Sequence, residues 1–282
     1  MYPVSVRRIR FKEAFLCRVQ VWAVVAALFF ACSTVPVTGR KQLDLIPAST
    51  MLSMSFQQYD EFLKKHELST NQEQTQVVKR VGHRIQKAVE QYMAEQNLSD
   101  RLKDFRWEFN LVESEEVNAW CMPGGKVVVY EGILPITQNE AGLAVVMGHE
   151  IAHAIARHGQ ERMSQGLLVQ TGGLALSAAL ATKPETTRTL WMAAFGVGAS
   201  VGVILPYSRL HENEADHLGL IFMAMAGYDP HTAVRFWERM AEQKKGGAPP
   251  EFLSTHPADE SRIQKIKAQI PDAMRYYKRA SQ

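Results

Sequence analysis

His149-Glu150-Ile151-Ala152-His153 is the stretch around which the rest of the chain is organised. Apolar residues recur around it at helical spacing and predict one helix from Asn139 to about Gln170, opened by a capping box of Thr137 and Glu140. Residues four apart share a helix face, so the two imidazoles can bind one metal ion. Glu150 lies one step round the helix, close to a metal-bound water, as in the H-E-x-x-H motif of zinc hydrolases.

A second motif supplies the ligand that two histidines leave missing, since a catalytic zinc takes three protein ligands and one water. Glu212 and Asp216 lie four apart in His211-Glu212-Asn213-Glu214-Ala215-Asp216 and therefore share a helix face. One carboxylate can bind the metal while the other accepts a hydrogen bond from a ligating histidine. The alternatives are His211 as a nitrogen ligand, or a plain surface helix with solvated histidines and carboxylates. Glu214 is expected to point away from the site. His158 and His217 are expected to lie at the surface.

The composition is that of a globular protein without a basic face. The 282 residues are 46% hydrophobic and 22% charged, enough for one sizeable domain or two small ones. The formal net charge is +3, but residues 1–31 hold five basic residues against Glu13, so the remainder carries −1. We therefore expect no nucleic-acid partner.

Residues 1–31 have the pattern of an export signal. A basic segment precedes eleven apolar residues, Val21 to Ala31, which are too few to span a bilayer. Cys32 follows directly, as in bacterial lipoprotein signals, so we expect its lipidation and an exported protein anchored to the periplasmic face of the outer membrane. An ordinary cleaved signal and an uncleaved anchor are the alternatives. Cys121 then has no partner and is interpreted as a core residue rather than a nucleophile.

The rest of the chain predicts a mainly helical α+β domain, residues 49–272, between a tether (32–48) and a tail (273–282). A small sheet lies directly upstream of the metal helix, because Phe105 to Leu111 alternate and Asn118–Met122 and Lys126–Tyr130 are short strands. Further helices are predicted at 49–66, 71–97, 208–227, 231–243 and 258–270.

Two long uncharged runs follow the metal helix, Met163–Thr182 and Thr189–Tyr207. Each has the length of a membrane span, but glycines and polar residues dilute both. We expect a helical hairpin buried in the fold. The alternative is a hairpin that enters or contacts a membrane.

Taken together, the motifs resemble the zinc metallopeptidase family M48, the family of the CAAX prenyl protease and HtpX, and within it the exported bacterial lipoproteins and the mitochondrial inner-membrane relative. The likeness covers roughly residues 33–270. It depends on these motifs: Thr38-Gly39-Arg40, Asn118-Ala119 with Pro123-Gly124-Gly125, His149 to His153, Glu212 to Asp216, and Ser254-Thr255-His256-Pro257 with Arg262.

The resemblance implies a gluzincin fold and one zinc per chain, held by His149, His153 and Glu212 with Asp216 in support. It implies that an edge strand at Asn118, Ala119 and Trp120 binds extended substrate by strand addition. His256 and Arg262 are then expected to stabilise the oxyanion. His256 has an alternative role, as a ligand that closes the zinc in a resting state.

The leading hypothesis is thus an exported zinc endopeptidase that cleaves misfolded or damaged envelope proteins, with Glu150 as general base. One alternative is a chaperone or assembly factor with secondary proteolysis, which the intact Glu150 disfavours. Another is a membrane-protein protease whose uncharged hairpin contacts the membrane. The sequence predicts no oligomeric state.

Overall fold

The computed structural model describes residues 32–36, 38–200, 205–243 and 250–280. The signal peptide predicted for residues 1–31 lies outside the described residues. The predicted tether contains a small antiparallel hairpin, in which β1 (Cys32–Thr34) pairs with β2 (Lys41–Leu43). Gly39, at φ +64°, lies in the turn between the two strands. The turn returns the chain toward the domain, where Val35 is buried in the main core.

Helices form most of the domain. Their bounds are α1 (Ala48–Leu63), α2 (Gln72–Glu95), α3 (Leu134–Thr137), α4 (Glu140–Ile155), α5 (His158–Ala179), α6 (Glu185–Ala199), α7 (Leu205–Met225), α8 (Thr232–Glu242), α9 (Glu251–Thr255) and α10 (Glu260–Ala280). Helix α4 is central, because every residue from Gly142 to Ile155 is buried. Helices α2, α7 and α8 pack around it.

Two glycines bring α4 and α7 into backbone contact. A Cβ added to Gly219 on α7 would lie 2.9 Å from the backbone nitrogen of His149, and one added to Gly148 would lie 3.0 Å from the carbonyl oxygen of Gly219. Any larger residue at either position would push the helices apart. This close approach places the motif of α4 directly against the acidic motif of α7.

The predicted sheet is confirmed and has the order β3-β5-β4. Strand β3 (Glu108–Val112) pairs in parallel with β5 (Lys126–Tyr130), and β4 (Ala119–Met122) pairs antiparallel with β5. Gly124 and Gly125 form the turn between β4 and β5 with φ of +89° and +83°, values that favour glycine. Strand β4 is thus an edge strand of this sheet, and it lies beside α4.

The single helix predicted from Asn139 to Gln170 is wrong, since the structure has two helices there. Helix α4 ends at Ile155, Arg157 adopts a left-handed conformation (φ 59°), and α5 begins at His158. The predicted capping box is also wrong. Asn139 is the N-cap, and its side chain accepts a hydrogen bond from the backbone N–H of Gly142 at 2.9 Å.

Helices α5 and α6 form the predicted hairpin, but its predicted burial is wrong. No residue of α6 is buried, and Leu190, Trp191 and Leu174 are 71%, 58% and 65% exposed. The hairpin extends beyond the body of the domain, so its apolar residues have too few neighbours to cover them. Among the described residues, none of the helices combines the length and the apolar content needed to cross a bilayer.

The last helix is longer than predicted. Helix α10 continues through Pro271 to Ala280 instead of ending near Ile270, and so includes most of the residues expected to form a tail. Ala273 is fully buried, and Tyr276 packs on the ring of Tyr92 from α2. These contacts continue the apolar face of the helix beyond the proline.

Candidate active site

The predicted metal ligands converge where α4 crosses α7. Nε2 of His149 lies 3.1 Å from Nε2 of His153, and each nitrogen lies 3.3 Å from a carboxylate oxygen of Glu212. Two imidazole lone pairs and a carboxylate that face one point need a cation between them, and this donor set fits zinc. Burial alone would raise the pKa of Glu212, but the imidazoles of His149, His153 and His256 beside it hold that pKa far below its usual value. Glu212 is therefore a carboxylate ready to bind metal.

Asp216 lies where a supporting carboxylate is expected. Its Oδ1 is 3.0 Å from Nδ1 of His149, so the imidazole donates its Nδ1 proton and keeps the Nε2 lone pair for the metal. Arg262 holds this carboxylate with Nε and Nη2 at 2.8 and 2.9 Å, and its guanidinium carbon lies 3.5 Å from the ring centroid of Trp237. Arg262 also contacts Glu212, with Nη1 3.1 Å from Oε2.

His256, at the end of α9, completes a group of four. Its Nδ1 lies 2.9 and 3.1 Å from the two oxygens of Glu212 and 3.2 Å from Nε2 of His149. In the described part of the chain, these four residues form a buried group whose ligand atoms all lie within 4.8 Å of one another. The structure thus brings His256 to the position that a fourth ligand would occupy.

Glu150 is buried, its Oε1 accepts no hydrogen bond from the described residues, and Nε2 of His256 lies 3.4 Å from that oxygen. Burial raises the pKa of this carboxyl, which makes it a stronger base than an exposed glutamate. An orphaned buried acceptor beside a metal group is the arrangement in which a water can donate a proton to Glu150.

A cavity of about 570 Å³ opens onto this group. Strand β4 forms one wall with the predicted substrate-binding residues Asn118, Ala119 and Trp120, and the site contributes Glu150, His153 and His256. Arg262 is not among the residues that line this cavity, and its guanidinium contacts Asp216 and Glu212. Cys121 packs against the core, and burial raises the pKa of its thiol well above the usual value, as expected for an unreactive residue.

Sequence reasoning missed a second polar cluster behind His153. His158, predicted to lie at the surface, is fully buried, and its Nδ1 lies 2.9 Å from Nδ1 of His153. Glu214, expected to point away, is buried and contacts Nε2 of His158 at 3.2 Å. His211, considered as an alternative ligand, instead contacts Glu161 at 2.9 Å, and His217 is half-buried and contacts Asp272 at 2.9 Å. The left-handed Arg157 turns α5 back toward α4, a change of direction that helical periodicity does not reveal.

Comparison with known proteins places this geometry among peptidases. The sequence model of peptidase family M48 matches residues 79–270. The mitochondrial metalloendopeptidase OMA1 of Schizosaccharomyces pombe is 38% identical over 173 residues, which is 61% of this chain and 49% of that protein. The corresponding protein of Saccharomyces cerevisiae is 29% identical over 272 residues, 91% of this chain and 76% of its own length. The beta-barrel assembly-enhancing protease of Escherichia coli is 33% identical over 167 residues, 56% of this chain and 33% of its own.

These relatives overturn the predicted periplasmic location. The OMA1 proteins of both yeasts, of Arabidopsis thaliana and of Bos taurus are described as mitochondrial, which points to mitochondria rather than to a bacterial outer membrane. The physical reason for the error lies in residues 1–31, where several arginines and a single acidic residue precede an apolar segment. Arginine-rich, acid-poor leaders also direct proteins to mitochondria, so this pattern does not separate the two destinations. Lipidation of Cys32 depended on that location and stays an untested prediction.

Proposed function

The chain belongs to peptidase family M48 and carries the site of a zinc metalloendopeptidase; on that premise we propose that it hydrolyses extended segments of damaged or membrane-associated proteins. The observation that carries the proposal is the orphaned Oε1 of Glu150 beside the ligand group, at a cavity walled by an edge strand. Zinc at this position supplies a Lewis acid that activates water and polarises the scissile carbonyl. Glu150 accepts the proton of the attacking water and delivers it to the leaving amine.

Strand β4 supports the choice of an extended polypeptide as substrate. An unpaired strand edge offers main-chain donors and acceptors to any extended chain, whatever its side chains. Damaged proteins expose such segments, whereas folded ones bury them. Asn118, Ala119 and Trp120 would then position the substrate backbone, with the scissile bond over Glu150.

We also propose that the exposed hairpin of α5 and α6 contacts a membrane surface, which is the second candidate role of the chain. The specific observation is that Leu190, Trp191 and Leu174 face solvent instead of the core. Surface contact would bring the cavity close to membrane-associated substrates. An assembly role without hydrolysis is the competing hypothesis; the name of the E. coli relative joins assembly with protease activity.

The decisive experiment is a comparison of the full chain with Glu150→Gln and Glu212→Ala. We expect about one zinc per chain, and cleavage of an unfolded protein substrate that a chelator abolishes. Glu150→Gln should keep fold and zinc but lose at least about a thousandfold in turnover, because an amide cannot accept the proton. Glu212→Ala should lose zinc, whereas the exposed control Glu185→Gln should match the wild type. Retained proteolysis by a clean Glu150→Gln preparation would exclude the hydrolytic role.

Two further arms separate hydrolysis from binding. A non-cleavable extended peptide should compete with substrate, and the same peptide N-methylated at alternate residues should not, since it cannot pair with β4. Full function of Glu150→Gln in cells would instead favour the assembly role.

A further inference from the structure

We infer that His158 is a positioning residue for the metal ligand His153, and that Arg40 and Glu214 hold it in place. His158 is the first residue of α5 and is fully buried. Its Nδ1 lies 2.9 Å from Nδ1 of His153, and its Nε2 lies 3.2 Å from Oε2 of Glu214. The three residues form a continuous chain that leads away from the metal position.

The protons of this chain have one consistent arrangement. His153 presents Nε2 to the ligand group, so its remaining proton is on Nδ1. That N–H must donate to Nδ1 of His158, which places the proton of His158 on Nε2, from where it donates to Glu214. Each donor then has one acceptor, and the tautomer of the ligand is fixed.

The two histidine ligands are therefore supported in different ways. His149 donates directly to the carboxylate of Asp216 at 3.0 Å. His153 reaches its carboxylate, Glu214, only through the imidazole of His158. The ring of His158 stacks on that of His211, with centroids 4.3 Å apart and planes 14° apart, so its orientation is also fixed.

Arg40 anchors the far end of the chain. Its Nε and Nη2 donate to Glu214 at 3.0 and 2.9 Å, its Nη1 and Nη2 donate to Glu161 at 2.8 and 2.7 Å, and the hydroxyl of Thr38 donates to Glu214 at 2.7 Å. A buried carboxylate is costly without such partners, so Arg40 is what allows Glu214 to stay charged next to His158. Residues 38–40 lie before the segment that matches the family model, 79–270. They nonetheless take part in holding a zinc ligand.

The test is the rate at which the zinc-loaded full chain transfers Zn²⁺ to a chromogenic chelator. His158→Leu removes the acceptor for His153, and we expect zinc release about 10–100-fold faster. His158→Asn keeps an acceptor atom near the position of Nδ1 and should recover most of the wild-type rate. His217→Leu is the matched control. His217 of α7 contacts Asp272 of α10 at 2.9 Å and not His153, so this variant should release zinc at the wild-type rate. Arg40→Gln should accelerate release in the same direction as His158→Leu.

Thermal unfolding of the metal-free proteins separates positioning from a structural role. We expect His158→Leu to lose much more stability in the zinc-loaded than in the metal-free protein. Wild-type release from His158→Leu, equal release from the Leu and Asn variants, or a loss confined to metal-free stability would each overturn the inference. The inference rests on the zinc site of the proposed function. Its readout is metal release rather than hydrolysis. A chain that binds zinc without cleaving peptides would therefore contradict the proposed function and leave this inference standing.

Discussion

Two roles were proposed for His256, as an oxyanion donor or as a ligand that closes the zinc site in a resting state, and its contacts help to decide between them. Nδ1 faces both oxygens of Glu212 and Nε2 of His149, which is the geometry of a fourth ligand. A fourth protein ligand fills the position that water and substrate need. The geometry therefore favours the resting-state role over that of a free oxyanion donor.

We expect His256→Ala to raise turnover or self-cleavage several-fold and to speed zinc exchange by about tenfold or more, because a ligand is removed and the open position restored. Parallel assays of turnover and zinc exchange on one preparation decide this, with the exposed His231→Ala as control. A loss of about a hundredfold in turnover with unchanged exchange would identify an oxyanion donor instead. No change in either quantity would make His256 a structural residue.

Arg262 and His158 show where sequence reasoning about single residues stops. Glu212 joins the ligands only because α4 and α7 cross closely at Gly148 and Gly219. The spacing of four on a helix suffices to bring His149 and His153 together, because helix geometry alone sets that distance. It says nothing about what lies behind a ligand. Arg262, predicted to stabilise the oxyanion, also donates to Asp216 at 2.8 Å and contacts Glu212 at 3.1 Å, and the spacing of its motif does not reveal these contacts. His158 was overlooked because its contact depends on the left-handed turn at Arg157.

Among the elements, the sheet and the existence of the hairpin were predictable, but the exposure of the hairpin was not. Alternation from Phe105 to Leu111 indicates β3, and short apolar runs before and after the glycine turn indicate β4 and β5, which lie where they were predicted. An uncharged helical run, in contrast, has the same composition whether its partner is protein or lipid. Burial of α5 and α6 therefore depended on neighbours that the sequence does not reveal.

The exposed apolar face of α6 predicts binding to lipid vesicles. The tip of the hairpin carries Lys183 between the helices and Arg188 in the first turn of α6 against Glu185, so anionic phospholipid is the expected surface. Glutamate at Leu190 and Trp191 together should weaken co-sedimentation with such vesicles by about tenfold or more, since two large apolar groups are lost. Thr186→Glu, at an exposed polar position of the same helix, should change binding far less. Equal binding by all three proteins would show that the hairpin does not contact lipid.

The molecule as a whole should become unstable in acid through the cluster around Arg40. Burial alone would raise the pKa of Glu161, but hydrogen bonds from Arg40 and His211 outweigh it and lower the pKa to about 2. Because the pKa of Glu161 is lower in the folded than in the unfolded protein, its ionised form stabilises the fold. This contribution is complete above the unfolded pKa of about 4.5 and is lost as the pH falls toward the folded pKa of about 2.

Glu161→Gln should therefore reduce the free energy of unfolding by about 2 kcal/mol at pH 6, and the difference from wild type should shrink toward pH 3. Denaturant titration of the metal-free proteins measures this without the competing loss of zinc. Exposed Glu73→Gln is the control. A difference that does not vary with pH would show that Glu161 contributes packing rather than charge.

The fold class followed from the periodicity of the sequence, and the zinc chemistry followed from two motifs that are each defined by a spacing of four. Location did not follow, since targeting is read by receptors from a short segment whose charge pattern serves more than one compartment.

Arg40 meets Glu161 and Glu214 across 121 and 174 positions of the chain. Contacts over such separations form late, because a long loop must close before they gain anything. During synthesis, residues 38–40 leave the ribosome before α5 and α7, the helices that carry Glu161 and Glu214. A growing chain therefore cannot complete the surroundings of His153 until α7 has emerged.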